Sequence, residues 1–133
     1  MTRQALISTQ LAKPAFKYSH LVKAGPHFYF SGLLAQDRQT GALVGATPGE
    51  QAGKILENVQ VLMQEFRLGF EHLAIARIFT TRMDLFGEIN AAWEKVFATT
   101  TAEPPARTSI GVAALPLNGL VEIEFTFYRD DAA

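Results

Sequence analysis

One stretch of the chain repeats its apolar residues at helical spacing and carries the signals that begin and end a helix. Thr47 suits the N-cap, Pro48 suits the first helical position, and Glu50 completes a capping box. Gly69 is placed to end the helix. Seven apolar positions then share one face of that helix: Ala52, Ile55, Leu56, Val59, Leu62, Met63 and Phe66.

A second helix is predicted in the later half of the chain. Asp84 precedes it and can cap its first turn. Its inner face is formed by apolar residues at helical spacing: Phe86, Ile89, Trp93, Val96 and Phe97. The two helices are therefore both amphipathic, and each needs one partner layer to cover its apolar stripe.

The remaining ordered segments read as strands, because they are rich in β-branched and aromatic residues and are bounded by turn residues. The predicted strands are Ala5–Ser8, two strands within residues 20–32 joined at Gly25-Pro26, the run "LAIARIFTTRMD", Thr108–Ala113 and Leu120–Tyr128. Asn118-Gly119 is a strong turn signal, so the last two strands are expected to form a hairpin.

The predicted order is β-β-β-α-β-α-β-β, which indicates an α+β protein with a mixed sheet and two helices packed on one face. The last strand alternates strictly. Val121, Ile123, Phe125 and Phe127 should face the helices, with Leu120, Glu122, Glu124, Thr126 and Tyr128 on the other side. That second side carries too many carboxylates for an ordinary core, so it should face water or a partner subunit.

Composition narrows the class of protein. The sequence has 133 residues, 48% of them hydrophobic, which favours one globular domain over residues 1–133. Its net charge is −1, with 12 basic and 13 acidic residues in no basic stripe, so nucleic acid is not expected as a partner. It has no cysteine. No window reaches about 18 uninterrupted apolar residues, so no membrane association is expected and a cytoplasmic location is the default.

Arg107 is the first candidate for chemistry, since it opens a strand of small and apolar residues. Ser109 and Gly111 should project to the same side as Arg107, and the expected hairpin would bring Glu122 and Glu124 near them. One interpretation is a polar pocket, in which the arginine grips a carboxylate and a glutamate handles a proton or a water. The other is a cross-strand Arg–Glu ion pair without chemical function.

Other patterns are weaker. His20, His27 and His72 are too dispersed for a ligand motif, so no metal site is expected. The signatures of serine hydrolases and nucleotide-binding loops are missing. Ser31-Gly32 at a strand end can bring a hydroxyl and an unobstructed backbone N–H to a ligand, although it also fits a plain strand end.

Several segments together resemble one known family. "PPARTSIGVAALP" followed by "LVEIEFTFY" is similar to the C-terminal signature of the RidA/YjgF family, the reactive intermediate deaminases. "HFYFSGLLAQDRQTGALV" resembles the family's strand, Ser-Gly and "TG" turn, and "INAAWEKVF" resembles its second helix. The resemblance spans roughly residues 14–128 in matching order. It implies a chorismate-mutase-like fold and a trimer with a site at each subunit cleft.

The resemblance also implies residue roles. Arg107 matches the arginine that holds the substrate carboxylate, and Glu122 matches the acidic residue that positions or activates the hydrolytic water. The other matched positions are expected to bind substrate: Tyr18, Ser31, Gly32 through its backbone, Asn90, and Ser109, which stands where many members have cysteine. The sequence departs from the family at Phe16-Lys17 and at Leu33, and these changes alter the rim of the site.

The implied reaction is the hydrolysis of a 2-imino acid or its enamine, such as 2-iminobutanoate or 2-aminoacrylate, to a 2-oxo acid and ammonia. It needs no cofactor or metal, because the imine carbon is already electrophilic. Two alternatives stay open. The first is a non-catalytic or regulatory protein that binds small carboxylates on the same scaffold. The second is a deaminase whose altered rim directs it to another enamine, such as 2-aminomuconate.

Overall fold

The computed structural model describes residues 2–131, which form seven strands and two α-helices. The strands are β1 (Gln4–Leu6), β2 (Leu21–Ala24), β3 (His27–Phe30), β4 (Leu33–Leu34), β5 (Leu73–Thr80), β6 (Ala106–Gly111) and β7 (Val121–Tyr128). The helices are α1 (Pro48–Glu65) and α2 (Phe86–Phe97), and short 3₁₀ turns cover Phe70–His72, Met83–Leu85 and Pro116–Asn118. The predicted order of elements is confirmed, with the short β4 as an addition.

All seven strands belong to one mixed sheet with the order β1-β2-β3-β7-β5-β6, and β4 also pairs with β7. Every pairing is antiparallel except that of β5 with β6, which are parallel and are joined through α2. The last strand of the chain thus lies at the centre of the sheet, and β6 lies at one edge. The sheet and the two helices confirm the mixed α+β fold predicted from the sequence.

The expected hairpin between the last two strands is wrong. β6 pairs with β5, whereas β7 pairs with β3, β4 and β5. A type I′ hairpin turn needs positive φ at both central residues, but here Leu117 and Asn118 have positive φ and Gly119 has a φ of −62°. The alternating apolar side of β7 is fully buried, which suits a central strand, while most of β6 is exposed.

Helix α1 begins as predicted and ends earlier than predicted. The Thr47 hydroxyl accepts the backbone N–H of Glu50 at 3.1 Å, so the proposed N-cap is confirmed. Gly69 does not end the helix, because Arg67 already takes the left-handed conformation with a φ of 58°. The guanidinium of Arg129 donates to the carbonyl of Arg67, and this bond supports the early end.

Helix α2 begins without the predicted cap. Its N-cap is Leu85, which makes no side-chain capping bond. The carboxylate of Asp84 is instead engaged by Arg82, at 3.0 and 2.9 Å from Nε and Nη2. A bidentate pair of this kind competes successfully with a cap. Ile89 and Trp93 form the buried centre of the inner face.

The core lies between the two helices and one face of the sheet. It combines the α1 stripe, Ile89 and Trp93 of α2, Ala76 and Ile78 of β5, and the buried side of β7, which consists of Val121, Ile123, Phe125 and Phe127. The opposite, open face of the sheet carries Arg77, Phe79, Glu122 and Glu124. Alternation along the eight residues of β7 therefore separates a buried apolar side from a polar side.

Two features are absent from residues 2–131. No helix there is long and apolar enough to cross a membrane. No three side chains drawn from His, Asp and Glu lie close enough together within that range to hold a metal ion.

Candidate functional site

Arg107 and Ser109 point toward the helical side of the sheet. In the parallel pair of β5 and β6, Arg107 lies opposite Ala76 and Ser109 lies opposite Ile78. Ala76 and Ile78 are fully buried on the helix-facing side. Because cross-strand partners share a face, Arg107 and Ser109 belong to that face too. Their strand is at the edge of the sheet, so Arg107 is nevertheless exposed.

Side chains of α2 hold the Arg107 guanidinium. Its carbon lies 5.6 Å from the centre of the Phe86 ring and 5.2 Å from that of the Trp93 ring. Its Nη1 donates to the amide oxygen of Asn90 at 3.0 Å. Aromatic contact and one amide bond orient the planar group, which has five N–H donors and can still grip a carboxylate with two of them. We call Arg107, Asn90 and Ser109 the arginine cluster.

Glu122 lies in a groove of about 760 Å³ on the other side of the sheet. The groove is bounded by residues 11–18, by the segment that follows β3 and by Pro116 and Leu117. Burial of the side chain, and secondarily the charge of Glu124, raises the pKa of Glu122 above its ordinary value. A raised pKa brings a carboxyl group closer to the range in which it can both take up and release a proton.

Gly32 gives the Glu122 carboxyl group its space. A Cβ atom at position 32 would lie 2.9 Å from both Cδ and Oε2 of Glu122. Such a contact is too short, so any larger residue would push the carboxyl group aside. The glycine at this position is therefore explained by close packing, since it does not adopt a positive φ.

Ser31 and Tyr18 complete the groove beside Glu122. The Ser31 hydroxyl donates to the carbonyl of Ser19 at 2.6 Å, and the Ser31 N–H donates to the carbonyl of His20 at 3.0 Å. Tyr18 is half-exposed and lines the groove from the loop before β2. We call the groove with Tyr18, Ser31, Gly32 and Glu122 the glutamate groove.

The rim of the glutamate groove is apolar and open. Phe16, one of the departures from the family pattern, is 82% exposed, and Leu33 also lines the groove. Leu117 has a φ of 59° and is half-exposed beside Pro116. Neither Pro116 nor Leu117 was among the predicted site residues. The only sequence signal there is the "LPLNG" run, which reads as an ordinary turn.

The seven predicted site residues do not meet within this chain. Glu122 pairs with Phe79 on the open face of the sheet, while Arg107 lies on the helical face. One strand separates β6 from β7, so their backbones are about 10 Å apart. The prediction that Arg107 and Glu122 share one face of the sheet depended on the expected hairpin, and it is wrong. Glu124 instead pairs with Arg77 at 3.1 Å.

The fold is a small α+β fold with two separate groups of candidate site residues, and comparison with known proteins gives its family. The family model described as Endoribonuclease L-PSP matches residues 8–128. The chain belongs to this family, and its predicted membership in the RidA/YjgF family is confirmed.

Curated relatives cover almost the whole chain. The RutC family protein UK114 of Drosophila melanogaster is 34% identical over 124 residues, which are 93% of this chain and 88% of that protein. A RutC family protein of Leuconostoc mesenteroides is 32% identical over 127 residues, which are 95% of this chain and 98% of the relative. The similarity therefore extends beyond the motifs that carry the candidate site.

Solved structures share the fold. Escherichia coli TdcF with bound serine is 30% identical, with a TM-score of 0.85 and coverage of 96% of this chain and 100% of that chain. RidA from the Antarctic bacterium Psychrobacter is 28% identical, with a TM-score of 0.84 and coverage of 95% and 99%. The same arrangement of sheet and helices thus occurs across the family.

Proposed function

We propose that the protein hydrolyses reactive 2-imino acids and their enamines, such as 2-iminobutanoate and 2-aminoacrylate, to 2-oxo acids and ammonia. The observation that carries the proposal is the pair of complementary surfaces. One presents an oriented guanidinium, and the other presents a half-buried glutamate with a raised pKa. Hydrolysis of a small imino acid uses both groups, because the guanidinium can bind its carboxylate and the carboxyl group can transfer protons at the neighbouring electrophilic carbon.

The arginine cluster binds the substrate carboxylate and fixes the position of the imine carbon. The reacting species is the protonated imine, which an enamine reaches by protonation at its carbon. Glu122 takes a proton from water as the water oxygen bonds to the carbon of C=NH2⁺, and this double bond becomes a C–NH2 single bond. Protonation of the nitrogen, with Glu122 returning its proton, makes ammonia the leaving group. The C–N bond then breaks, the carbonyl forms, and the hydroxyl proton is released.

The complete site is proposed to lie between two subunits of a homotrimer. Arg107 and Glu122 face opposite sides of the sheet and cannot serve one small ligand from the same chain. The open sheet face and the exposed edge strand β6 are both available for subunit contact. In this arrangement the arginine cluster of one subunit closes the glutamate groove of its neighbour. Light scattering should give about three times the chain mass of 14.6 kDa.

A relative supports the class of ligand. The Escherichia coli TdcF structure contains bound serine, a small amino acid with a free carboxylate. A 2-imino acid offers the same carboxylate next to a carbon that bears nitrogen. The fold therefore accommodates ligands of the proposed size, and the arginine cluster is the natural partner for their charge.

The test couples this protein to a threonine dehydratase. The dehydratase releases 2-iminobutanoate, and semicarbazide traps whatever imine is still free. We expect the protein to accelerate 2-oxobutanoate formation and to lower the yield of semicarbazone. Equal semicarbazone yields with and without the protein would contradict the proposed activity.

The apolar rim favours a second candidate function, either binding of small carboxylates without catalysis or deamination of another enamine. Phe16 and Leu33 replace smaller or more polar residues of the family pattern, and both line the glutamate groove. A carboxylate binder would bind 2-oxobutanoate in calorimetry without turnover, and a deaminase for another enamine such as 2-aminomuconate would turn over that compound instead. RNA is not proposed as a substrate, because the sequence has a net charge of −1 and no basic stripe.

A further inference from the structure

We propose that His20 is a positioning residue of the glutamate groove, an inference that rests on the proposed function. Residues 9–19 form no helix or strand, and we call this segment the groove wall. The wall carries Tyr18 and Phe16 toward the groove. An irregular segment of this length holds one conformation only if specific bonds fix it.

Both nitrogens of the His20 ring bond to the backbone at the start of this segment. Nδ1 accepts the N–H of Ser8 at 2.8 Å. Nδ1 therefore lacks a proton, so Nε2 carries it in the neutral ring and donates to the carbonyl of Ala12 at 2.9 Å. The side chain is buried, with 7% of the residue exposed. One ring thus bonds to Ser8, which directly precedes the groove wall, and to Ala12 within it.

The backbone around His20 holds the floor of the groove. The carbonyl of His20 accepts the N–H of Ser31, and the carbonyl of Ser19 accepts the Ser31 hydroxyl. His20 is consequently bonded through its ring to the wall and through its backbone to the residue next to Gly32. The ring thus ties the groove wall to the strand that holds Ser31, and His20 itself lines the groove.

A second anchor fixes the first residues of the groove wall, next to the Ser8 N–H that the His20 ring accepts. The carboxylate of Glu65, the last residue of α1, accepts the hydroxyls of Ser8 and Thr9 and the Thr9 N–H. Because α1 belongs to the core, this anchor is rigid. The groove wall is therefore held between α1 and the His20 ring. Removing the ring leaves the Ser8 N–H and the Ala12 carbonyl without their partners.

The test compares His20→Leu, which removes both ring bonds, with His20→Gln, whose amide supplies one acceptor and one donor. In His20→Leu we expect faster hydrogen exchange across residues 9–20, and an increase of about tenfold in both KM and the Kd for 2-oxobutanoate. The kcat should fall less, because Arg107 and Glu122 remain in place. His20→Gln should recover most of the affinity. If His20→Leu does not fold, His20→Asn replaces it, with the same expected changes.

His72 supplies the matched control. Its Nδ1 also accepts a backbone N–H, that of Gly69 at 2.9 Å, in a turn that does not line the groove. His72→Leu should lower Tm and leave KM unchanged. If His20→Leu lowers Tm while exchange, KM and Kd stay within about twofold of wild type, His20 is merely structural and the inference is overturned.

Failure of the proposed function gives a different result. If the wild-type protein has no deaminase activity, exchange across residues 9–20 and 2-oxobutanoate binding still report on His20. Faster exchange together with weaker binding supports the positioning role in that case, and unchanged exchange contradicts it. The two proposals therefore fail separately.

Discussion

The arginine cluster and the glutamate groove are built in contrasting ways. Arg107 projects from an exposed edge strand and is held by two aromatic rings and one amide oxygen. Glu122 lies on the central strand, packed against Gly32 in a groove with an extensively bonded wall. Exposure has no effect on the charge of an arginine, because its pKa is far above any physiological pH.

A carboxyl group behaves differently, because partial burial raises its pKa. Burial in the groove therefore raises the pKa of Glu122, whereas the charge of Arg107 does not depend on burial. In the proposed function, the two surfaces have different roles: the permanent charge of Arg107 binds the substrate, and the titrating Glu122 transfers protons.

Replacing Arg107 should cause the largest loss. Arg107→Ala and Arg107→Lys should each lower kcat/KM by about a thousandfold, because lysine keeps the charge but lacks the planar fork that matches a carboxylate. Turnover in the coupled dehydratase assay measures the effect. Arg82→Lys, at an exposed arginine paired with Asp84, is the control and should stay near wild type. Full activity of Arg107→Lys would contradict a bidentate anchor.

Replacing Glu122 should affect the chemical step alone. Glu122→Gln keeps the shape of the side chain and removes the base, so kcat should fall by about a hundredfold. The Kd for 2-oxobutanoate should change little, since Arg107 supplies the anchor. Glu124→Gln is the matched control, because Glu124 already pairs with Arg77 and should mainly influence stability or assembly. Loss of turnover in the Glu124 variant only would show that the assignment within β7 is wrong.

Adding one methyl group at position 32 should sharpen the comparison. Gly32→Ala places a Cβ within 2.9 Å of the Glu122 carboxyl group, which can move because it is the end of a flexible side chain. We expect kcat to fall by about tenfold while Tm stays almost constant. Gly53→Ala in α1 has open space around the new Cβ, so it should leave kcat unchanged and raise Tm slightly. A large fall in Tm for Gly32→Ala would mean that the backbone, not the carboxyl group, gives way.

Mixing two inactive variants should restore part of the activity if the site is shared between subunits. A trimer that contains both Arg107→Ala and Glu122→Gln subunits has three clefts. At one of them, the intact Arg107 of one subunit meets the intact Glu122 of its neighbour. Random reassembly at equal amounts should therefore give about a quarter of wild-type turnover. Unfolding and refolding the variants together, and separately as the control, provides the measurement. No recovery in the mixture would contradict the shared site.

The smallest effect concerns stability and pH. Because the folded protein raises the pKa of Glu122, ionising this group disfavours the folded state once the pH exceeds the ordinary glutamate range. Glu122→Gln should consequently show a slightly higher Tm than wild type at pH 7. The difference should disappear as the pH falls below about 4, where both states are protonated. A Tm difference that is independent of pH would point to packing instead.

The local features of the fold could be predicted from the sequence, because their signals are local. Thr47 caps α1, and Gly25 takes a φ of 59° in the turn between β2 and β3. The helix ends were predicted less well. Arg129, which is distant in the sequence, supports the end of α1 by bonding to the carbonyl of Arg67. Arg82 engages the Asp84 carboxylate, so Asp84 does not cap α2. Apolar periodicity reveals neither contact.

The placement of the candidate site residues on two faces could not be predicted, because it depends on which strands pair. Asn118-Gly119 suggested a hairpin, although the buried side of β7 requires a central position. The resemblance supplied Arg107 and Glu122 as site residues but not their placement on opposite faces. The two ring bonds of His20 could not be predicted, because their partners lie in an irregular segment that has no sequence pattern.

The central position of β7 also has a consequence during protein synthesis. β1, β2 and β3 form one fragment of the sheet, β5 and β6 form another, and among residues 2–131 only β7 bonds to both. A ribosome must therefore extend the chain through Tyr128 before the two fragments can join. Until then both fragments expose unpaired edges, which are prone to aggregation and are typical targets of chaperones. Joining of the two fragments is accordingly expected to wait until β7 has left the ribosome.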